Sequence, residues 1–136
     1  MRPNTLPQLR ILIVDDEDMV RDTLKLLLQF DNHLVEEASN VSRALDLFQS
    51  GQFDIVITGH DMAGIRGDQL AAAIKALVPS QPVVMLTAYT QAVHNNPGLL
   101  KNLDGLISKP FPIETLREDI ARALAAKRPP SSSPNP

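Results

Sequence analysis

The stretch Leu9-Arg10-Ile11-Leu12-Ile13-Val14-Asp15-Asp16-Glu17-Asp18 changes character at one point. Up to Val14 it is a nearly continuous apolar run, the pattern of a strand buried on both faces. From Asp15 it turns into four consecutive acids. Strands buried on both faces belong to parallel sheets covered by helices, and the rest of the chain repeats the theme. Phe53–Thr58, Pro82–Thr87 and Gly105–Ser108 are further short apolar runs, with His33–Glu36 a weaker one. Between them apolar residues recur at helical spacing: Val20, Leu24, Leu27 and Leu28, then Val41, Ala44, Leu45 and Phe48, then Leu70, Ala73, Ile74 and Leu77. Ile113, Leu116, Ile120, Ala123 and Leu124 form the last stripe. Ser39 or Asn40 stands where the second helix needs a cap, and Gly51 where it ends. Pro79 stops the third helix, and Pro112 sits at the start of the last. Thr90–Leu103 predicts a short fourth helix interrupted by Asn96-Pro97-Gly98. Five alternations of strand and helix predict an α/β fold: a doubly wound, five-stranded parallel sheet of order 2-1-3-4-5 in a three-layer sandwich.

The composition narrows the function classes. The chain has 136 residues, enough for one domain with its own core. It has no Cys, which excludes disulfides and Cys-ligated zinc. Its 13 Lys and Arg against 16 Asp and Glu give a net charge of −3, opposite to the basic excess of a nucleic-acid-binding surface. No apolar run is long enough to span a membrane, and Met1–Gln8 lacks the apolar core of a signal peptide. A cytoplasmic location is expected. Residues 1–8 read as a disordered leader and 9–127 as the folded unit. Residues 128–136, rich in Pro and Ser, read as a disordered tail or linker stub.

In a doubly wound sheet, ligands meet the chain at the C-terminal ends of the strands. The first strand ends in Asp15 and Asp16. Glu17 and Asp18 find relief at the start of the next helix, where the dipole favours negative charge. Asp15 and Asp16 are better explained as hard oxygen ligands for a divalent cation such as Mg²⁺. The fourth strand ends in Thr87-Ala88 and the fifth in Lys109-Pro110. A hydroxyl and an ammonium at the same edge as an acid pair suit a phosphoryl group.

These residues, in this order, resemble the receiver domains of two-component response regulators. The carriers are Ile11-Leu12-Ile13-Val14-Asp15-Asp16-Glu17, Asp54-Ile55-Val56-Ile57-Thr58, Met62 and Gly64, Thr87-Ala88, and Lys109-Pro110-Phe111. The resemblance implies a flavodoxin-like fold in which Asp15 and Asp16 hold Mg²⁺ and the backbone carbonyl of Asp61 completes its shell. It implies that Thr87 is the switch hydroxyl, that Lys109 pairs with the phosphate, and that the Lys109–Pro110 bond is cis. The partners it implies are a histidine kinase or phosphotransfer protein and a downstream signalling protein. The usual docking surfaces are the first helix, with Met19 and Val20, and the face of the fourth helix, fifth strand and fifth helix. The second face draws on Leu99–Leu103 and Leu106, and is also where a weak homodimer would form, the alternative being a monomer.

The sequence departs from the family where it matters most. The phosphoacceptor Asp lies three residues before the loop Met, and that position is Gly59. Glycine has no carboxylate, so no aspartyl phosphate forms there and one metal ligand is lost. Weak Mg²⁺ binding is expected. Ala63 replaces the loop Pro, and Leu106 stands at the aromatic switch position. Asp61 as substitute acceptor lies in the loop, with its side chain expected to point away. His60 is expected on the opposite face from Gly59 by strand alternation, and His33 and His94 on the surface. The reading is a receiver that docks partners and is not an enzyme. The alternatives are an ordinary phospho-accepting receiver with a substitution introduced at Gly59, and a haloacid-dehalogenase-like phosphatase using Asp16 and Asp18. No output domain is expected after Lys127, so the chain reads as a stand-alone regulator or part of a longer protein such as a hybrid kinase.

Overall fold

The computed structural model describes residues 6–62 and 65–127. Its elements, in chain order, are β1 (Arg10–Val14), α1 (Asp18–Phe30), β2 (Leu34–Ala38), α2 (Val41–Ser50), β3 (Ile55–Gly59), β4 (Asp61–Met62), β5 (Ile65–Arg66), α3 (Gly67–Leu77), β6 (Val83–Thr87), α4 (Thr90–His94), α5 (Pro97–Leu100), β7 (Gly105–Ser108) and α6 (Ile113–Lys127). Five strands form one parallel sheet of order β2-β1-β3-β6-β7. That is the expected 2-1-3-4-5 order once the antiparallel pair β4–β5 is set aside. The short pair was not anticipated, since two-residue strands leave no periodic signal.

Alternation within the buried strands divides the core into two layers. Ile11, Ile13, Ile55, Ile57, Val84 and Leu86 pack with Leu24 and Leu28 of α1 and Leu116 and Ile120 of α6. Leu12, Val14, Val56 and Val83 pack on the other side with Ala44 and Phe48 of α2 and Leu70 and Ile74 of α3. Each fully buried Leu or Ile contributes about 1.5–3 kcal/mol, which makes these layers the source of the fold's stability. Asn40 caps α2, its side chain accepting from the Arg43 N–H at 2.8 Å. The ambiguous stretch after β6 resolves into α4 and α5, with Asn96 capping α5 and Pro97 at its first position.

The end of α1 is built from local chemistry. Asn32 takes the left-handed conformation, φ 69°, which asparagine tolerates better than most residues. The His33 N–H then donates to the Leu28 carbonyl. His33 was expected on the surface and is buried instead, its Nδ1 accepting from the Leu9 N–H at 3.0 Å. His94 is exposed, as expected. Within the expected leader, residues 6–8 are described and two of them are engaged with the fold. Leu6 packs against the α1–α6 layer, and Gln8 donates to the Asn32 carbonyl. Residues 1–5 and the expected tail, 128–136, lie outside the described residues, as do Ala63 and Gly64. Among the described residues no helix is long and apolar enough to cross a membrane.

Candidate functional site

β1, β3, β6 and β7 run in one direction, so their C-terminal ends bring residues far apart in sequence to one edge. A cavity of about 260 Å³ opens there. Asp15, Asp61, Thr87 and Lys109 all line it, together with Glu17, His60 and Tyr89. Four of the expected site residues are therefore assembled. Asp16 is exposed and does not line the cavity, and Leu106 lies half-buried on β7 away from it. The Lys109–Pro110 bond is cis, as the resemblance implies.

Asp15 is the best-buried acid of the site, 4% exposed. Its Oδ1 accepts from the Glu17 N–H at 2.8 Å, which fixes the turn into α1. Burial pushes its carboxyl above the ordinary value, while the Glu17 N–H and the Lys109 ammonium pull it back. Its other oxygen occupies the space a side chain at position 59 would need: a Cβ on Gly59 would lie 2.6 Å from Asp15 Oδ2. Lys109 Nζ lies 3.5 Å from Glu17 Oε1, the partner it has in this arrangement. The ammonium thus ties the ends of β7 and β1 together across the cavity mouth.

His60 was expected on the far side of the sheet and is found in the cavity, its Nδ1 2.9 Å from Thr87 Oγ1. Alternation fails because His60 lies past the last residue of β3, where the chain turns into the β4–β5 hairpin. The Gly67 N–H donates to the His60 carbonyl at 2.8 Å, holding that turn. A Cβ added to Gly67 would overlap the Gly59 carbonyl oxygen, so a side chain does not fit there. Thr87 Oγ1 also accepts from the Tyr89 N–H at 2.9 Å. Sequence reading missed Glu17, His60 and Tyr89 as cavity residues. Tyr89 follows Thr87 by two residues, and its position at a strand end was the available signal.

A divalent cation needs several oxygen ligands converging on one point. Among the described residues no three His, Asp or Glu side chains converge in that way. Asp15 is engaged by the Glu17 N–H, Asp16 lies off the cavity, and Gly59 offers no carboxylate. The described residues do not make a full metal site.

A parallel sheet of this order, with an acid, a hydroxyl and a lysine at its C-terminal edge, is the arrangement of the receiver class. The family model described as "Response regulator receiver domain" matches residues 11–121, and the chain belongs to that family, a component of two-component signalling. It is 31% identical over 126 residues to the response regulator MprA of Mycobacterium sp. (strain KMS), covering 93% of this chain and 54% of that protein. Against MprA of Mycolicibacterium vanbaalenii the identity is 33% over 119 residues, covering 88% and 50%. The chain thus spans about half the length of these curated relatives. Among solved structures it is similar to TrrA of Thermotoga maritima in complex with Mg²⁺-BeF, with TM-score 0.77 and 32% identity over 84% of this chain and 97% of that one. It is likewise similar to CheY4 of Vibrio cholerae, with TM-score 0.78 and 27% identity over 86% and 99%. Family membership sets aside the phosphatase alternative, which Asp16 also opposes by lying outside the cavity.

Proposed function

We propose that this receiver works as a partner-docking module that forms no aspartyl phosphate at position 59 and catalyses no reaction in turnover. The observation that carries this reading is the pair Gly59 and Asp15: the acceptor carboxylate is missing, and the Asp15 carboxylate fills its place. Thr87 and Lys109 are held by His60, Tyr89 and Glu17, so both switch groups already have partners inside the domain. Mg²⁺ binds weakly on this reading, because the oxygen ligands left to it do not converge.

Docking has a candidate surface. Met19, Leu26 and Phe30 are 81%, 70% and 68% exposed along α1. Their spacing of seven and then four residues places them on one face of the helix. That stripe supports α1 as the contact for a histidine kinase or phosphotransfer protein. The face of α4, β7 and α6 is the second candidate, for a downstream partner or a weak homodimer, with Leu99, Leu100 and Leu106 half-buried there. No direct contact with nucleic acid is proposed, and the location is cytoplasmic. The test is titration with beryllofluoride and Mg²⁺, followed by backbone amide NMR. The expected result is no saturable shift at residues 58–62, 87–89 or 109. Tight binding of the mimic, or a hydroxylamine-sensitive acyl phosphate on the chain, would overturn the proposal.

A further inference from the structure

The cavity holds an imidazole whose second nitrogen the docking reading does not use. His60 is half-buried, and its Nδ1 is held by Thr87. Nε2 has no partner among the described residues. No buried side-chain nitrogen or oxygen among them is unpartnered, so Nε2 must reach accessible space. The Lys109 ammonium lines the same cavity, its present partner Glu17 3.5 Å away. The carboxylates of Asp15, Glu17 and Asp61 line the cavity as well, and Gly59 adds none of its own. A histidine nitrogen fixed through its other nitrogen, in a cavity that a cation also lines, is the arrangement of an oriented nucleophile.

We propose that His60 Nε2 is the phosphoryl acceptor of this cavity, taking the group from a small acyl phosphate. The Nε2 lone pair forms the P–N bond as the P–O bond to the acyl group breaks. The leaving carboxylate departs with the bonding electron pair. The ring carries its proton on Nδ1 in the product, so Nδ1–H must have an acceptor. Thr87 Oγ1 has two lone pairs, and the Tyr89 N–H uses one. The second accepts from Nδ1–H, so Thr87 is a positioning residue that matches the phosphorylated ring. Lys109 leaves Glu17 and neutralises the phosphoryl oxygens, work that a metal performs where the carboxylates allow one.

The experiment uses the full chain with radiolabelled acetyl phosphate in the presence of EDTA. One acid-labile, alkali-stable phosphoryl group per chain is expected, mapping to His60 rather than His33 or His94. His60→Asn keeps a polar side chain beside Thr87 and should abolish the label while preserving the circular dichroism spectrum. Lys109→Ala should slow labelling on the order of a hundredfold. Thr87→Val should slow it without moving the label. An unlabelled chain, or label retained in His60→Asn, overturns the inference and leaves the docking reading standing. An alkali-labile label, the signature of an acyl phosphate, overturns both.

Discussion

Restoring the acceptor by Gly59→Asp is the most informative single perturbation, because the structure says what the new side chain meets. Its Cβ would lie 2.6 Å from Asp15 Oδ2, 3.1 Å from Asp15 Cγ and 3.4 Å from Met62 Cγ. The near atom is the end of a side chain, so the clash is relieved by swinging Asp15 aside, against its bond from the Glu17 N–H. Charge is the larger matter. Two carboxylates about 4 Å apart repel by about 4 kcal/mol at an effective dielectric of 20. Protonation of one of them limits that penalty, and burial already favours the protonated form of Asp15. Replacing glycine returns about 0.4–1 kcal/mol by restricting the unfolded chain. The balance is a loss of about 2 kcal/mol near neutral pH without metal, or about 8 °C in Tm for a domain of this size. Gly59→Asn has nearly the same volume and no charge, and should stay within about 1 kcal/mol of the parent. A cation bound only by the new carboxylate pair returns about 2.7 kcal/mol at a hundred times its Kd. Thermal melts of the three proteins in EDTA and in saturating Mg²⁺ measure each contribution. If Gly59→Asp melts with Gly59→Asn in EDTA, or ignores Mg²⁺, the account of the Asp15–Gly59 contact is wrong.

His33 gives the domain a pH dependence. Burial holds its pKa below the ordinary value, with Asp31 and Asp54 only partly offsetting this. The unfolded chain therefore binds the proton more readily, and stability rises with pH across the interval between the two pKa values. Its contribution is fully present above about pH 6.5 and is lost as pH falls toward the folded value. His33→Gln keeps an acceptor for the Leu9 N–H without titrating, so denaturant melts from about pH 5 to 8 should show a flatter profile; an unchanged slope refutes the assignment. Gly67→Ala should destabilise by about 3 kcal/mol or more, because the clash is with the Gly59 backbone rather than a side chain that can turn away. A urea midpoint within error of the parent would show that the hairpin yields more easily than its packing implies.

The sheet was legible because it rests on burial. Ile11, Ile13, Leu12 and Val14 alternate between the two layers, and α1, α2, α3 and α6 each carry a buried stripe at helical spacing. The Asn40 cap was legible as well, being a short-range rule. At the site, Asp15, Thr87 and Lys109 were found because each ends a strand that burial identifies. His60 was misplaced because strand alternation was carried one residue past the strand's end. His33 was misplaced because its partner, the Leu9 N–H, lies 24 residues away and leaves no local mark. The same holds for the Asp15 carboxylate lying against Gly59: a side chain moving into vacated space is a tertiary event.

The two apolar layers contain neither Asp15, Glu17, His60, Asp61, Thr87 nor Lys109. Residues that select the fold and residues that carry the chemistry are thus nearly separate sets. A substitution at the strand ends can therefore change the chemistry there without touching either apolar layer. The rim has to be read one atom at a time.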